Sequence, residues 1–258
     1  MAEPDGKAPP MLRILYRTFR ELCTREGAII TSVVLLLIVC GPKGIPVFIP
    51  LFHKWITSDP AEAGLRLQMV SILSGFILLG IVPLLMIRFG FKQNFRDYGL
   101  GLGNVRLGLS LFLVTAAVWF PVSYLSSIRP DMAREYPLIY QGMSSAEIKA
   151  VFQWRTFIAF ELIYSTFFFT VEFIYRGFML LGLEKRFGAY AVLIQMIPYT
   201  IWHLPKPTLE LMVTPLWGFT AGALGLRIRS IWYPFAVHWL ANVIMDTLIL
   251  HHRGVISF

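Results

Sequence analysis

The chain of 258 residues is too apolar for an ordinary soluble protein, because 56% of its residues are hydrophobic and its mean hydropathy is +0.64. Only 15% of the residues are charged, against about 25% in an average soluble domain. The net charge of +8 does not indicate a nucleic-acid partner, since the Lys and Arg residues are scattered between apolar runs and not gathered on one soluble face. Composition therefore predicts an all-α, polytopic helical membrane protein that contacts the lipid bilayer.

Residues 1–27 predict a basic amphipathic segment and not a signal peptide. The stretch MLRILYRTFREL places three arginines at helical spacing beside apolar residues. Two interpretations stay open: a helix that lies on an anionic leaflet, or a solvated helix next to the membrane. Cys23 and Cys40 would lie about 25 Å apart on a continuous helix, which argues against a disulfide between them.

Seven apolar runs are long enough to predict transmembrane helices. They lie at 28–50, 67–88, 107–127, 156–182, 188–204, 209–226 and 231–250. The first is interrupted by GPKGIP at 41–46, so it is either one broken span or a span followed by a short interfacial piece. The longest polar stretch, 128–155, predicts an external loop with a short helix that starts at Ser144.

Basic residues alternate between the two sets of loops. Residues 1–27, 88–106, 185–186 and 227–229 together contain thirteen Lys and Arg residues, whereas the other set contains nine. Because cytoplasmic loops carry the excess of Lys and Arg, this pattern predicts a cytoplasmic N-terminus and an external C-terminus.

The last 110 residues contain polar side chains inside apolar runs. Glu172 and Arg176 are four residues apart and share a helical face, as an ion pair that orients helices or as part of a site. His238, Asn242 and Asp246 are also spaced by four and form a polar stripe about 12 Å long. An ionised side chain at the bilayer centre costs about 2.5–3.5 kcal/mol, so these groups are expected to face one another.

His203 and Glu210 flank a Pro-rich turn that ends the fifth run, and Glu210 is placed to fold back over the cluster. A carboxylate that takes a proton from water, histidines that orient the water and an amide that stabilises an oxyanion are the parts of a hydrolytic site. Glu plus two His also matches a catalytic zinc set, but HExxH is absent and the ligands come from separate helices. The sequence therefore requires no cofactor, and metal use stays open.

The pattern resembles the CPBP family of intramembrane proteases, which includes the CaaX prenyl endopeptidases and the bacterial Abi-type proteins. The resemblance is carried by EFIYRGF at 172–178, YTIWH at 199–203 and HWLAN at 238–242, with similar spacers between them. Upstream, FRDYGLGLGNVRLG resembles the link that precedes the family's core bundle. The resemblance implies a bundle in which a glutamate activates water for peptide hydrolysis.

Carried onto this chain, the resemblance gives His203, His238 and Asn242 the roles of shaping the site and stabilising the oxyanion, and Arg176 the role of anchoring the glutamate helix. Together with the apolar runs, it divides the chain into four segments: a basic N-terminal segment at 1–27, membrane spans and a cytoplasmic link at 28–106, a CPBP-like catalytic helical core at 107–250 and a short tail at 251–258. A bacterial inner membrane is the implied location.

One position departs from the family pattern. The family has a Glu-Glu pair in the first motif, with the first Glu usually the base, and here that position is Val171. Three outcomes stay open: Glu172 serves as base after a modest helix rotation, Glu210 or Asp246 supplies it, or the site no longer cleaves.

Three functions follow, in order of preference. The first is an intramembrane endopeptidase that cleaves a membrane-tethered or lipid-modified peptide near a span end. The second is a non-catalytic binder of peptides or partner helices, for which Val171 is the best support. A transporter comes third, because no internal repeat is evident.

Overall fold

The computed structural model describes residues 9–40, 48–58 and 62–257, and these residues contain helices and no strand. In chain order the helices are α1 Pro10–Leu22, α2 Arg25–Cys40, α3 Ile49–Thr57, α4 Ala63–Gly90, α5 Val105–Ser127, α6 Pro130–Glu135, α7 Ser145–Val151, α8 Trp154–Phe187, α9 Tyr190–Trp202, α10 Thr208–Ile228 and α11 Trp232–His252. Short 3₁₀ turns lie at Phe95–Tyr98 and Leu138–Tyr140. The polytopic helical fold expected from the sequence is confirmed.

The number of long apolar helices differs from the seven predicted spans. In the described part of the chain, α4, α5, α8, α10 and α11 are long and apolar enough to cross a membrane, and α1 with α2 gives a sixth span if that bent pair is counted as one. Helix α9 has only 13 residues, because it ends at the Pro-rich turn. The predicted interruption at 41–46 and the basic residues Lys7 and Lys43 fall outside the described residues.

The C-terminal half of α8 forms the centre of the bundle. Its π-helical part, Phe173–Leu181, is buried at every position and packs against α2, α9, α10 and the turn at Phe95–Tyr98. Gly177 permits this contact, since a Cβ there would lie 2.6 Å from the backbone oxygen of Tyr98. The FRDYGL link is therefore packed directly onto the central part of α8.

The outer faces of α5 and α10 carry large exposed apolar side chains. They include Leu109, Leu113, Val114, Val118, Leu125, Met212, Leu216 and Phe219. A soluble monomer rarely exposes such continuous apolar surface, whereas lipid requires it. The exposed faces and the long apolar helices together define an integral membrane protein.

The segment between α5 and α8 folds over one end of the bundle. The predicted helix from Ser144 is confirmed: α7 begins with a capping box in which Ser144 and Glu147 satisfy each other's backbone N–H groups. Arg253, just after α11, donates to the Ala133 carbonyl at 3.1 Å and to Ser145 Oγ at 3.2 Å. These bonds fix the segment against the end of α11. Residues of this segment form one wall of a cavity inside the bundle.

Candidate active site

A cavity of about 220 Å³ lies inside the bundle. Of the side chains singled out from the sequence, it is lined by Val171, His203, Glu210, His238 and Asn242. The structure therefore brings together residues from α8, α10, α11 and the end of α9. The 130–141 segment and the early turns of α4 complete the wall. The predicted convergence of the polar residues on one pocket is thus observed for both histidines, Glu210 and Asn242.

A second cavity of about 90 Å³ adjoins the first and shares His203, Glu210 and His238 with it. Thr214 and Trp217 are among its other lining residues. A molecule of liquid water occupies about 30 Å³, so this space accommodates a small number of waters. The polar groups needed to hold such waters are the two imidazoles and the Glu210 carboxylate.

Glu172 lines neither cavity, and its side chain is fully buried behind the wall. Its Oε1 accepts hydrogen bonds from His238 Nδ1 at 2.8 Å and from Trp217 Nε1 at 3.1 Å. Its Oε2 lies 3.2 Å from Arg176 Nε, which is the ion pair expected from the i, i+4 spacing. The neighbouring side chain that does face the cavity is Val171. Glu172 therefore contacts the cavities only indirectly, through His238 and Trp217.

The hydrogen bond to Glu172 determines which ring nitrogen of neutral His238 carries the proton. A carboxylate only accepts, so Nδ1 of His238 donates, and in the neutral ring Nε2 is left as an acceptor. The His238 side chain is 22% exposed, whereas Glu172 is 0% exposed. The pair has the arrangement of a carboxylate that orients an imidazole base.

His203 is oriented in the same sense by a different partner. It follows the last turn of α9, where its Nδ1 lies 2.8 Å from the Tyr199 carbonyl oxygen. The carbonyl accepts, so Nδ1 donates and Nε2 of the neutral ring is an acceptor. Both histidines that line the cavities therefore have Nδ1 occupied by a protein acceptor and Nε2 available.

Glu210 is held in the cavity wall by a residue from the 130–141 segment. The Tyr136 hydroxyl donates to Oε1 and Oε2 of Glu210, at 3.1 and 2.9 Å. Lys206 Nζ in turn donates to Tyr136 Oη at 2.9 Å and to Glu135 Oε1 at 3.3 Å. Burial, together with the Glu210 charge, raises the pKa of Tyr136 well above its ordinary value, so the hydroxyl keeps its proton and remains a donor.

Asn242 faces the larger cavity, whereas Asp246 is buried behind it. Asn242 lines the larger cavity and donates through Nδ2 to Asp246 Oδ2 at 3.2 Å. Asp246 is fully buried and lines neither cavity. Glu161 on α8 is 4% exposed, and its carboxyl lies against Asp246 and Asn242. Helix α8 therefore turns Glu161 toward α11 and not toward lipid.

Arg176 stabilises the back of the site. Its side chain is fully buried, and its guanidinium lies 4.3 Å from the centre of the Tyr199 ring. That cation–π contact holds α8 against α9, whereas the ion pair with Glu172 lies within α8 and fixes the Arg176 side chain. The role of Arg176 as the anchor of the glutamate helix stays a prediction.

Among the residues that the structure describes, no group of three or more His, Cys, Asp and Glu side chains is arranged to hold a metal ion. The Glu172 oxygens already contact His238, Trp217 and Arg176. This arrangement does not match the open three-ligand set of a catalytic zinc.

Sequence reasoning did not find Tyr136 or Trp217. Tyr136 lies in a polar loop far along the chain from the motifs, and no local pattern connects it with Glu210. Trp217 follows Glu210 by seven residues, two helical turns on the same face, and that spacing was a usable signal.

A comparison with known protein families matches the part of the chain that contains most of the candidate site. Residues 152–244 match the family model described as Type II CAAX prenyl endopeptidase Rce1-like. The match begins just before α8 and ends within α11, so it contains every site residue singled out from the sequence except Asp246, whereas Tyr136 lies before it. It confirms the resemblance to the CPBP family that the motifs indicate. No similar curated protein and no similar solved structure was found.

Proposed function

We propose that this protein is a CAAX-type intramembrane endopeptidase that hydrolyses a membrane-tethered or lipid-modified peptide near the end of a span. The observation that carries the proposal is the pair of histidines, each with Nδ1 occupied, that line one cavity inside an apolar bundle. Two acceptor Nε2 atoms beside a small cavity can orient a water molecule. Because polar side chains inside a membrane bundle cost free energy, their convergence on one cavity favours a functional site.

The residues divide the work of hydrolysis. His203 and His238 hold and orient the water, and Glu172 fixes the ring of His238. The Asn242 amide, fixed by Asp246, donates to the oxygen that becomes negatively charged when water attacks the carbonyl. Arg176 keeps Glu172 in place.

The mouth of the site, which is the end of the cavity lined by the 130–141 and 202–210 segments, indicates the side of the membrane from which substrate enters. The 130–141 and 202–210 segments line the cavity, and they connect the helix ends opposite to the basic 88–106, 185–186 and 227–229 segments. With the N-terminus in the cytoplasm of a bacterium, the mouth faces away from the cytoplasm across the inner membrane. Substrates then approach from the external leaflet.

The test uses purified protein in liposomes with two fluorogenic peptides, one farnesylated near its C-terminus and one attached to a single transmembrane helix. Glu172→Gln, His203→Ala and His238→Ala are each expected to abolish cleavage while the protein still accumulates. Glu184→Gln and His53→Ala, which change the same residue types away from the cavity, serve as controls. Normal cleavage by all three site variants would disprove the proposal.

A non-catalytic binder of peptides or partner helices is the second candidate, and Val171 at the cavity wall is the observation that favours it. In that case the wild type cleaves neither peptide, and all three site variants retain partner binding in pull-downs from solubilised membranes. Loss of cellular function on Glu172→Gln exchange would contradict this second candidate.

A further inference from the structure

The position of each carboxylate around the two cavities distinguishes one glutamate from the rest. Glu172 is fully buried and turned toward Arg176, and Asp246 lies behind Asn242. Within the described residues, Glu135 and Glu210 are the acids that line the larger cavity, and Glu210 is the acid that also lines the smaller one with both histidines. Glu135 is instead paired with Lys206.

The surroundings of Glu210 suit a group that exchanges a proton with a trapped water. Tyr136 contacts both carboxylate oxygens from one side, which fixes the carboxylate plane without neutralising it. Lys206 is directed at Tyr136 and Glu135, and no direct ion pair between Lys206 and Glu210 is present in the described structure. The carboxylate thus remains a proton acceptor beside His203 and His238.

We infer that Glu210, from the first turn of α10, is the general base that activates the hydrolytic water, and that Tyr136 is its positioning residue. The inference rests on the proposed function, and it assigns the proton transfer to a carboxylate from α10 in place of one from α8. Val171 occupies the cavity wall where an acid on α8 would have to lie.

The step balances without a cofactor. Glu210 takes one proton from water as the water oxygen bonds to the peptide carbonyl carbon, and the carbonyl electron pair moves to the oxygen that faces Asn242. The second water proton is held by an Nε2 of His203 or His238 as a hydrogen bond. When the C–N bond breaks, Glu210 returns its proton to the leaving nitrogen, which yields an acid and an amine.

The decisive variants are Glu210→Gln and the double variant Val171→Glu with Glu210→Gln, assayed with the two liposome peptides. Glu210→Gln is expected to lower kcat by about 10²–10⁴-fold with little change in KM, because it removes proton transfer and not binding. The pH–rate profile should lose its acidic limb. In the double variant, the new acid at the wall is expected to recover at least tenfold in kcat and to restore the acidic limb.

Tyr136→Phe provides a second line of evidence that does not depend on the charge at 210. It is expected to lower kcat by about tenfold and leave KM unchanged. Tyr190→Phe is the matched control, because Tyr190 is exposed and lines neither cavity, and it should stay within threefold of the wild type. Thermal unfolding in detergent checks that each variant is folded.

Two failures are distinguishable. If Glu210→Gln cleaves at the wild-type rate while His203→Ala and His238→Ala are inactive, the peptidase is real and Glu210 is not its base. If the wild type cleaves neither peptide, the proposed function fails and the assignment of Glu210 fails with it.

Discussion

His238 Nδ1 lies 2.8 Å from Glu172 Oε1, so a fully buried carboxylate is connected to the cavity through an imidazole. The opposite oxygen of the same carboxylate faces Arg176 at 3.2 Å. Glu172 therefore links the anchoring of α8 to the orientation of α11. A change at this residue should affect both stability and activity, and the two effects can be separated.

The ion pair between Glu172 and Arg176 gives the first prediction. Arg176→Met leaves a buried carboxylate without its ion-pair partner, so we expect a loss of about 3–5 kcal/mol in the free energy of unfolding. The double variant Glu172→Gln with Arg176→Met removes both charges and should recover most of that loss, although it stays inactive. Unfolding in detergent, followed by tryptophan fluorescence, measures both. A double variant as unstable as Arg176→Met alone would contradict the ion-pair explanation.

The sequence predicted the helical bundle and most of the site, because apolar runs and i, i+4 polar pairs are local patterns. Glu172 with Arg176, and His238 with Asn242, needed only helical spacing. It could not predict that Val171 and not Glu172 faces the cavity, since the rotation of α8 depends on packing of the π-helical turn against Tyr98 and α2. It also could not find Tyr136, whose contact with Glu210 joins residues 74 positions apart.

The close approach between Gly177 and the Tyr98 backbone gives a second prediction. A Cβ at 177 would lie 2.6 Å from the Tyr98 oxygen, and a backbone atom cannot move away cheaply. Gly177→Ala is therefore expected to destabilise the protein by about 1–3 kcal/mol. Gly75→Ala is the matched control in α4, because a Cβ there meets no atom within 4 Å. Thermal unfolding of the two variants compares them directly, and equal melting temperatures would contradict the prediction.

The right angle between α1 and α2 gives a third prediction. The two helices are bent by 90°, so α1 lies along the membrane surface if α2 crosses the membrane. Met11, Ile14, Leu15, Phe19 and Leu22 are exposed on α1, and Arg20 is in its last turn. Such a helix binds an anionic leaflet with its apolar side buried.

Cys23 allows a direct measurement of this placement. It is exposed at the end of α1, whereas Cys40 is buried, so a thiol-reactive fluorophore should label Cys23 selectively. In anionic liposomes we expect quenchers near the lipid headgroups to quench the label more strongly than quenchers in the acyl chains. Quenching by neither lipid quencher would instead support the solvated-helix interpretation.

The two ends of the bundle give the last prediction, which tests the direction of the cavity. Lys149 in α7 is exposed on the end that carries the cavity wall, and Lys185 is exposed on the basic end. In a variant with Cys23 and Cys40 replaced by Ala, Lys149→Cys should react with a membrane-impermeant maleimide applied to intact bacterial spheroplasts. Lys185→Cys should react only after permeabilisation, because basic segments stay in the cytoplasm. The reverse pattern would place the cavity mouth on the cytoplasmic side, and substrates would then have to be cytoplasmic proteins with a membrane anchor.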